Sequence, residues 1–172
     1  MPVKQSIPFN NGMFFITFTC HSWLPLIDKV DGYDIVYKWF DHLKGKGHFI
    51  NGYVIMPNHV HALISFKNTY QSINTIIGNG KRFMAYEIID RLTNKNEMDL
   101  LKILSENVEK SGRAKNKLHE VWEISFDWKE CRSPEFIIQK LHLHSSAKYY
   151  IENKERYYAI TNFMEMEDIN LF

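Results

Sequence analysis

Two strands and the turn between them can be identified in residues 49–66, which read FINGYVIMPNHVHALISF. Both arms are rich in β-branched and aromatic residues, as strands are, and the Pro-Asn dipeptide at 57–58 is typical of a turn. The turn places His59 and His61 at the start of the second strand. Because side chains two residues apart in a strand leave the same face, the two imidazoles are predicted to point together while Val60 points into the core.

Two neighbouring imidazoles form half of a metal site. Neutral histidine nitrogens bind divalent transition metals, and with added oxygen ligands they also hold Mn²⁺ or Mg²⁺. The alternative is a pair of half-exposed histidines without a ligand, since a chain with eight histidines can contain this spacing without special cause. The apolar run at 62–64 favours the ligand role, because the end of a buried strand is a rigid mount for a metal ligand.

The sequence predicts further elements around this hairpin. Residues 13–20 are predicted to form a strand in which Phe and Ile alternate with Thr toward the end, so that one face is more polar. Apolar residues at helical spacing predict one helix from Asp34 to Gly45 and another from a Ser72 cap to Leu92.

The second half of the chain continues the alternation of helices and strands. A short helix is predicted at 97–108, an exposed and mobile polar loop at 109–120, and a strand at 121–128. Pro134 is well placed at the start of a last helix that continues to Tyr150 or beyond. This order predicts an α+β fold with helices packed over a mainly antiparallel sheet, in a ferredoxin-like arrangement.

The composition is that of a soluble globular protein. A chain of 172 residues fits a single domain, 1–172, and its hydrophobic and charged shares of 45% and 24% argue against extensive disorder. Cys20 and Cys131 are far apart, which favours a reducing intracellular setting over a metal knuckle or a redox pair. The sequence shows neither an export signal nor an apolar run of membrane length, so a cytoplasmic location is expected. With a net charge of +1, any nucleic-acid binding must depend on local positive charge.

The hairpin and several other segments resemble a known family. Residues 54–64, VIMPNHVHALI, resemble the HUH signature (histidine, hydrophobic residue, histidine) of the single-tyrosine transposases, which include the REP-associated tyrosine transposases. The resemblance extends to the Phe-x-x-Thr-Phe strand near the N-terminus and to IIGNGKRF at 76–83. It also includes Val121 and Trp122, with Phe126, before the last helix.

The resemblance implies a ferredoxin-like HUH domain in which His59 and His61 bind Mg²⁺ or Mn²⁺. The ion would polarise a scissile phosphate in single-stranded or hairpin DNA, and a tyrosine on a C-terminal helix would attack that phosphate. The products would be a 5′-phosphotyrosine link and a free 3′-hydroxyl. Because the link conserves the bond energy, the same site can rejoin strands. Some relatives with this fold draw the tyrosine from a second subunit, so a homodimer is a further expectation.

Four basic residues are candidate contacts to DNA phosphates. Lys81 and Arg82 fall on the helix that the resemblance turns toward DNA, and Lys115 and Lys117 fall in the polar loop. The alternative for both pairs is an ordinary solvated surface.

Three aromatic residues fall in the predicted strand at 121–128 and can stack on unpaired bases: Trp122, Phe126 and Trp128. Alternate aromatic residues in a strand are more often part of the core. A core role is therefore preferred for them.

The sequence departs from the family near its C-terminus. Family members present the nucleophile in a Tyr-x-His-x-Asn-Pro segment, whereas here FIIQKL at 136–141 passes directly into HLHSSAKYY at 142–150. The latter resembles a segment that relatives carry further downstream, and an internal deletion accounts for this most simply. If one helix runs through this region, Tyr149 or Tyr150 can replace the nucleophile. A third metal ligand can then come from Gln139, His142 or His144.

Three functions are compatible with these residues. The first is a metal-dependent DNA strand transferase or nickase of the transposase type. The second is a catalytically inactive, domesticated protein that binds hairpin DNA but lacks the usual nucleophile. The third is a metal-dependent hydrolase in which His59 and His61 activate water, which would release a free 5′-phosphate and require no C-terminal tyrosine.

Overall fold

The computed structural model describes residues 6–68, 70–114, 116–131 and 158–162. A 3₁₀ turn at His21–Trp23 connects the first strand to the first helix. The strands and α-helices are, in chain order, β1 (Gly12–Thr19), α1 (Leu26–Lys29), α2 (Tyr33–Gly45), β2 (Phe49–Met56), β3 (His59–Phe66), α3 (Ile73–Asn94), α4 (Met98–Glu106), α5 (Lys110–Arg113) and β4 (Asp127–Glu130).

The four strands form one antiparallel sheet in the order β2-β3-β1-β4. The larger elements follow one another as β1, α2, β2, β3, α3 and β4, which is the βαββαβ order of the ferredoxin-like arrangement. The predicted α+β fold with helices packed over an antiparallel sheet is confirmed. Eight paired positions join β1 to β3, from Gly12 opposite Phe66 to Thr19 opposite His59.

One side of the sheet, called the helix face, is covered by α2 and α3. Phe14, Ile16 and Phe18 of β1 are buried there in a cluster with apolar residues of both helices. The Phe18 ring lies 5.6 Å from the ring of Trp39 and 5.1 Å from that of Trp122, between centroids. Edge-on aromatic contacts of this kind stabilise a core beyond the area that they bury.

The opposite side, called the histidine face, carries a row of polar residues at one end. Thr17 is paired with His61, and Thr19 with His59, so these four side chains leave the sheet together. The polar character predicted for one side of the first strand is therefore located on this face.

Most of the predicted elements are confirmed. Residues 49–66 form β2 and β3 with the turn at 57–58, and the helix predicted at 97–108 is α4. The predicted Ser72 cap is present, because the Ser72 hydroxyl oxygen accepts a hydrogen bond from the Thr75 amide at 3.1 Å. Within the described ranges, no helix is long and apolar enough to cross a membrane.

The strand predicted at 121–128 is wrong over most of its length. Trp122 forms an isolated bridge, and β4 begins later in the chain. The carbonyl oxygens of Glu123 and Ser125 accept hydrogen bonds from the Lys81 ammonium at 2.7 Å and 3.2 Å. Because these carbonyls turn toward a side chain and not toward a neighbouring strand, the backbone between them is irregular.

The exposed, mobile loop predicted at 109–120 is also wrong in part. The segment contains the short helix α5, and its last residue, Glu120, is buried. The Glu120 amide donates to the Leu104 carbonyl at 2.8 Å, and its carboxylate pairs with Lys117. This end of the segment is therefore anchored to α4.

Residues 158–162 lie beside α2 and the outer edge of β2. The Tyr158 ring stacks on Tyr37 at 5.1 Å between centroids, and its hydroxyl donates to Asp41 at 2.6 Å. The Thr161 amide donates to the Ile50 carbonyl at 2.8 Å. These contacts cover part of a strand edge that would otherwise be open to pairing.

Gly80 lies where α3 approaches α2 too closely for a side chain. A Cβ atom at this position would lie 2.2 Å from the indole nitrogen of the buried Trp39. At Gly78, which is exposed on the same helix, an added Cβ atom would meet nothing within 4 Å.

We expect Gly80→Ala to lower the free energy of unfolding by about 1–3 kcal/mol, because the Trp39 ring would have to move within a packed core. Gly78→Ala is the matched control and should raise it by about 0.5–1 kcal/mol, because alanine favours a helix. Urea unfolding of the three proteins measures both effects. A Gly80→Ala protein as stable as the unchanged chain would contradict the close packing of α2 on α3.

Candidate metal centre

His59 and His61 lie side by side at the start of β3. Their ring centroids are 4.7 Å apart, with an angle of 82° between the ring planes. Both residues are half-buried, and Val60 between them is fully buried on the helix face. The common orientation predicted for the two imidazoles is confirmed.

Asn58 determines which nitrogen of His59 carries the proton. The Asn58 amide nitrogen donates to the Trp23 carbonyl at 3.1 Å, so the amide oxygen faces Nδ1 of His59, at 2.7 Å. Since an amide oxygen only accepts, Nδ1 of His59 is the donor and Nε2 carries the lone pair. Metal-binding histidines are usually held in this way, through the N–H of the nitrogen that does not bind the metal.

Thr17 and Phe15 hold the second imidazole. The Thr17 hydroxyl lies 2.7 Å from Nδ1 of His61, and it can donate or accept according to the tautomer of the ring. The Phe15 ring stacks on His61 with 5.5 Å between centroids and 22° between planes. Residues of β1 therefore fix the orientation of His61 from the neighbouring strand.

Partial burial favours the neutral form of His59. Removal of the ring from water lowers the pKa of His59 below its usual value of 6.5. The neutral imidazole, which is the form that binds metal ions, is therefore dominant at pH 7.

The donor set of the described residues fits half of a divalent metal site. Two imidazoles converge, but within the described ranges no third histidine, cysteine, aspartate or glutamate joins them in a group that could hold a metal. The predicted nucleophiles and third ligands all lie outside the described residues: Tyr149, Tyr150, Gln139, His142 and His144.

Lys81 does not lie on an exposed helix surface, so its contact with DNA phosphates stays a prediction that this position does not favour. The residue is 8% exposed, and its ammonium is directed to the carbonyls of Glu123 and Ser125. Its own carbonyl accepts a hydrogen bond from the Trp122 indole at 2.8 Å. Lys81 therefore holds the segment before β4 against α3.

Among the other predicted phosphate contacts, Arg82 is not brought together with the histidines. Arg82 is exposed on α3, in the helical layer on the other side of the sheet from His59 and His61. The Lys117 ammonium contacts Glu120, and Lys115 lies outside the described residues. Their contacts to DNA remain predictions.

The preferred core role of three aromatic residues is confirmed. Trp122 is buried against Phe18, while Phe126 and Trp128 are partly buried and pack against the same cluster. The Trp128 ring also meets Phe14 edge-on, with 5.9 Å between centroids.

Sequence reasoning missed the residues that hold and surround the imidazoles. The polar alternation in the first strand was a usable signal for Thr17, and the position of Asn58 directly before the first histidine was another. The sequence contains no comparable signal for Trp23, whose ring lies 5.8 Å from that of His59 between centroids. Asp127 shares the histidine face, opposite Thr17, but does not complete a group of three ligands.

The fold and the site define a ferredoxin-like α+β domain with two oriented imidazoles on the sheet face opposite its helices. The sequence matches no protein-family model and no curated protein. Among solved structures, the chain is similar to a REP-associated tyrosine transposase bound to a REP hairpin. The TM-score is 0.53 and the sequence identity is 13%, and the match covers 89% of this chain and 74% of that chain. This similarity supports a shared fold.

The chain is also similar to a candidate transposase from Deinococcus radiodurans R1, with a TM-score of 0.47 and 14% identity, covering 88% of this chain and 97% of that chain. Because its TM-score is below 0.5, this second similarity is not used as support for the fold.

We expect the His59 imidazole to titrate below pH 6.5 in the folded protein, because burial disfavours its charged form. An unfolded chain takes up this proton near pH 6.5, so the contribution of His59 to stability is present above that pH and is lost as the pH falls toward the folded-state pKa. Histidine-selective NMR measures the pKa, and His59→Gln assigns the resonance. A midpoint at or above 6.5 would contradict the burial of this ring.

Proposed function

We propose that this protein is a transposase-type protein that binds single-stranded or hairpin DNA, and that His59 and His61 hold Mg²⁺ or Mn²⁺ at the phosphate to be cleaved. The observation that carries the proposal is the pair of adjoining imidazoles, whose ring centroids are 4.7 Å apart. They belong to a histidine-hydrophobic-histidine sequence, and Asn58 assigns the tautomer of His59. The fold supports it, since a REP-associated tyrosine transposase with a similar fold has been solved with a REP hairpin.

The described residues prepare the two imidazoles for a metal ion. Asn58 and Thr17 hold the rings, and burial disfavours protonation of His59, which would block its nitrogen. The rings of Phe15 and Trp23 lie beside the pair. A divalent ion bound to these nitrogens would supply Lewis acidity, which stabilises the charge that develops on a phosphate during cleavage.

In the proposed reaction, the nucleophile is the hydroxyl of Tyr149 or Tyr150, and Gln139 is a third metal ligand. The tyrosine oxygen loses its proton and bonds to phosphorus while the bond from phosphorus to the 3′ oxygen breaks. The 3′ oxygen takes up a proton, which leaves a 5′-phosphotyrosine link and a free 3′-hydroxyl. The reverse attack by a 3′-hydroxyl rejoins the strand, because the link conserves the bond energy.

Arg82, Lys115 and Lys117 are proposed as secondary contacts to DNA phosphates. Such contacts orient the DNA and add salt-dependent affinity without sequence information. Lys81 is left out of this group, because its ammonium already donates to two backbone carbonyls.

The cleavage reaction is tested with labelled hairpin and single-stranded DNA in the presence of Mn²⁺. We expect a protein–DNA adduct that survives denaturation and is lost in either Tyr149→Phe or Tyr150→Phe, which identifies the nucleophile. His59→Ala and His61→Ala should reduce the adduct to background while DNA binding is largely retained. His42→Ala is the matched control, because this exposed histidine lies on α2, on the other side of the sheet.

The other outcomes separate the competing functions. Hairpin binding without any adduct would contradict strand transfer and support an inactive DNA-binding protein. A free 5′-phosphate that persists in both tyrosine variants would support a hydrolase. A homodimer that exchanges nucleophiles would restore the adduct when His59→Ala is mixed with the variant lacking the active tyrosine.

A further inference from the structure

The turn between β1 and α1 is strained next to the histidine pair. Ser22 and Trp23 have φ angles of 51° and 58°, a left-handed conformation that residues with side chains rarely adopt. Hydrogen bonds hold the turn, from the Ser22 amide to the Glu123 carboxylate at 2.9 Å and from the Trp23 amide to the Cys20 carbonyl at 3.1 Å. Such strain persists where the surrounding structure enforces it, and it is concentrated at functional sites.

This turn presents the indole of Trp23 to solvent. The residue is 64% exposed, whereas Trp39 and Trp122 are 6% and 4% exposed, and Trp128 is partly buried against the core. Trp23 is therefore the most exposed of the four tryptophans, and most of its ring surface is not used for packing. Tryptophan side chains are usually buried for the most part, so an indole held in solvent by a strained backbone is unusual.

The Trp23 indole is also coupled to the candidate metal ligand. Its ring meets that of His59 at 5.8 Å between centroids, with 70° between planes. The Asn58 side chain joins the two residues, because its oxygen accepts from His59 and its nitrogen donates to the Trp23 carbonyl. One amide thus assigns the tautomer of the imidazole and anchors the backbone that carries the exposed indole.

We propose that Trp23 stacks on an unpaired base of the DNA strand whose phosphate lies at His59 and His61. This inference rests on the proposed function and adds a residue that holds the base next to the phosphate in the site. A base is joined to its phosphate through a single sugar, so a phosphate at His59 brings a neighbouring base within reach of the adjacent indole. Stacking on an aromatic ring accepts any base, since every base has a flat π surface.

The dissociation constant for a labelled single-stranded oligonucleotide tests this role. We expect Trp23→Ala to weaken binding by about 5- to 150-fold, which corresponds to the ~1–3 kcal/mol typical of one stacked base. Trp23→Phe keeps an aromatic ring and should restore most of the affinity, whereas Trp23→Leu keeps only apolar bulk and should not. Tyr70→Ala is the control, because this exposed aromatic residue follows the opposite end of β3 and should have no effect.

Removal of single bases distinguishes stacking from a structural role. In the unchanged protein, one abasic position should weaken binding by a factor comparable to that of Trp23→Ala. The Trp23→Ala protein should be insensitive to the same abasic position, because the interaction is already absent. A purely structural role would instead weaken binding to every oligonucleotide equally, including a blunt duplex without unpaired bases.

The outcomes separate this inference from the proposed function. If the unchanged protein binds neither single-stranded nor hairpin DNA, both are overturned. If it binds, and a Trp23→Ala protein with unchanged thermal unfolding binds equally tightly or stays sensitive to every base removal, the stacking role is overturned and the proposed function stands.

Discussion

The antiparallel pairing of β1 with β3 is the constraint on which the candidate site depends. Its register sets Thr17 opposite His61 and Thr19 opposite His59, so the hydroxyl that holds one imidazole comes from the neighbouring strand. Because side chains alternate between the faces of a sheet, a shift of one residue would turn both histidines into the helix face. The apolar residues of β1, such as Phe18, prevent that shift, since it would also move them out of the core.

The second constraint is the turn that precedes β3. The Asn58 carbonyl accepts from the Cys20 amide at 2.8 Å, and its side chain reaches both His59 and Trp23. The turn is thereby fixed to the chain that leaves β1, and one amide bonds both the His59 imidazole and the backbone of Trp23. Preorganisation of this kind holds ligands in place before a metal ion or substrate arrives, which lowers the cost of binding.

The hairpin and the histidine pair could be predicted from the sequence because their signals are local: the period of two in a strand, the Pro-Asn turn, and the spacing of the histidines. The role of Lys81 could not be predicted, because nothing in the sequence of a helix indicates that a lysine will donate to two carbonyls about 40 residues away in the chain. The same tertiary contact overrode the strand pattern at 121–128. The left-handed conformation of Ser22 and Trp23 could not be predicted either, since neither residue is a glycine. The Ser22 amide is held by Glu123, which lies far along the chain.

The central claim is that His59 and His61 form one metal-binding pair, and titration with Mn²⁺ followed by NMR of the histidine side chains tests it most directly. Paramagnetic broadening falls steeply with distance, so a bound ion identifies its own ligands. We predict that the His59 and His61 resonances broaden together, at lower Mn²⁺ concentration than the resonance of His42 on α2. Sharp resonances from His59 and His61 at concentrations that already broaden His42 would contradict the claim.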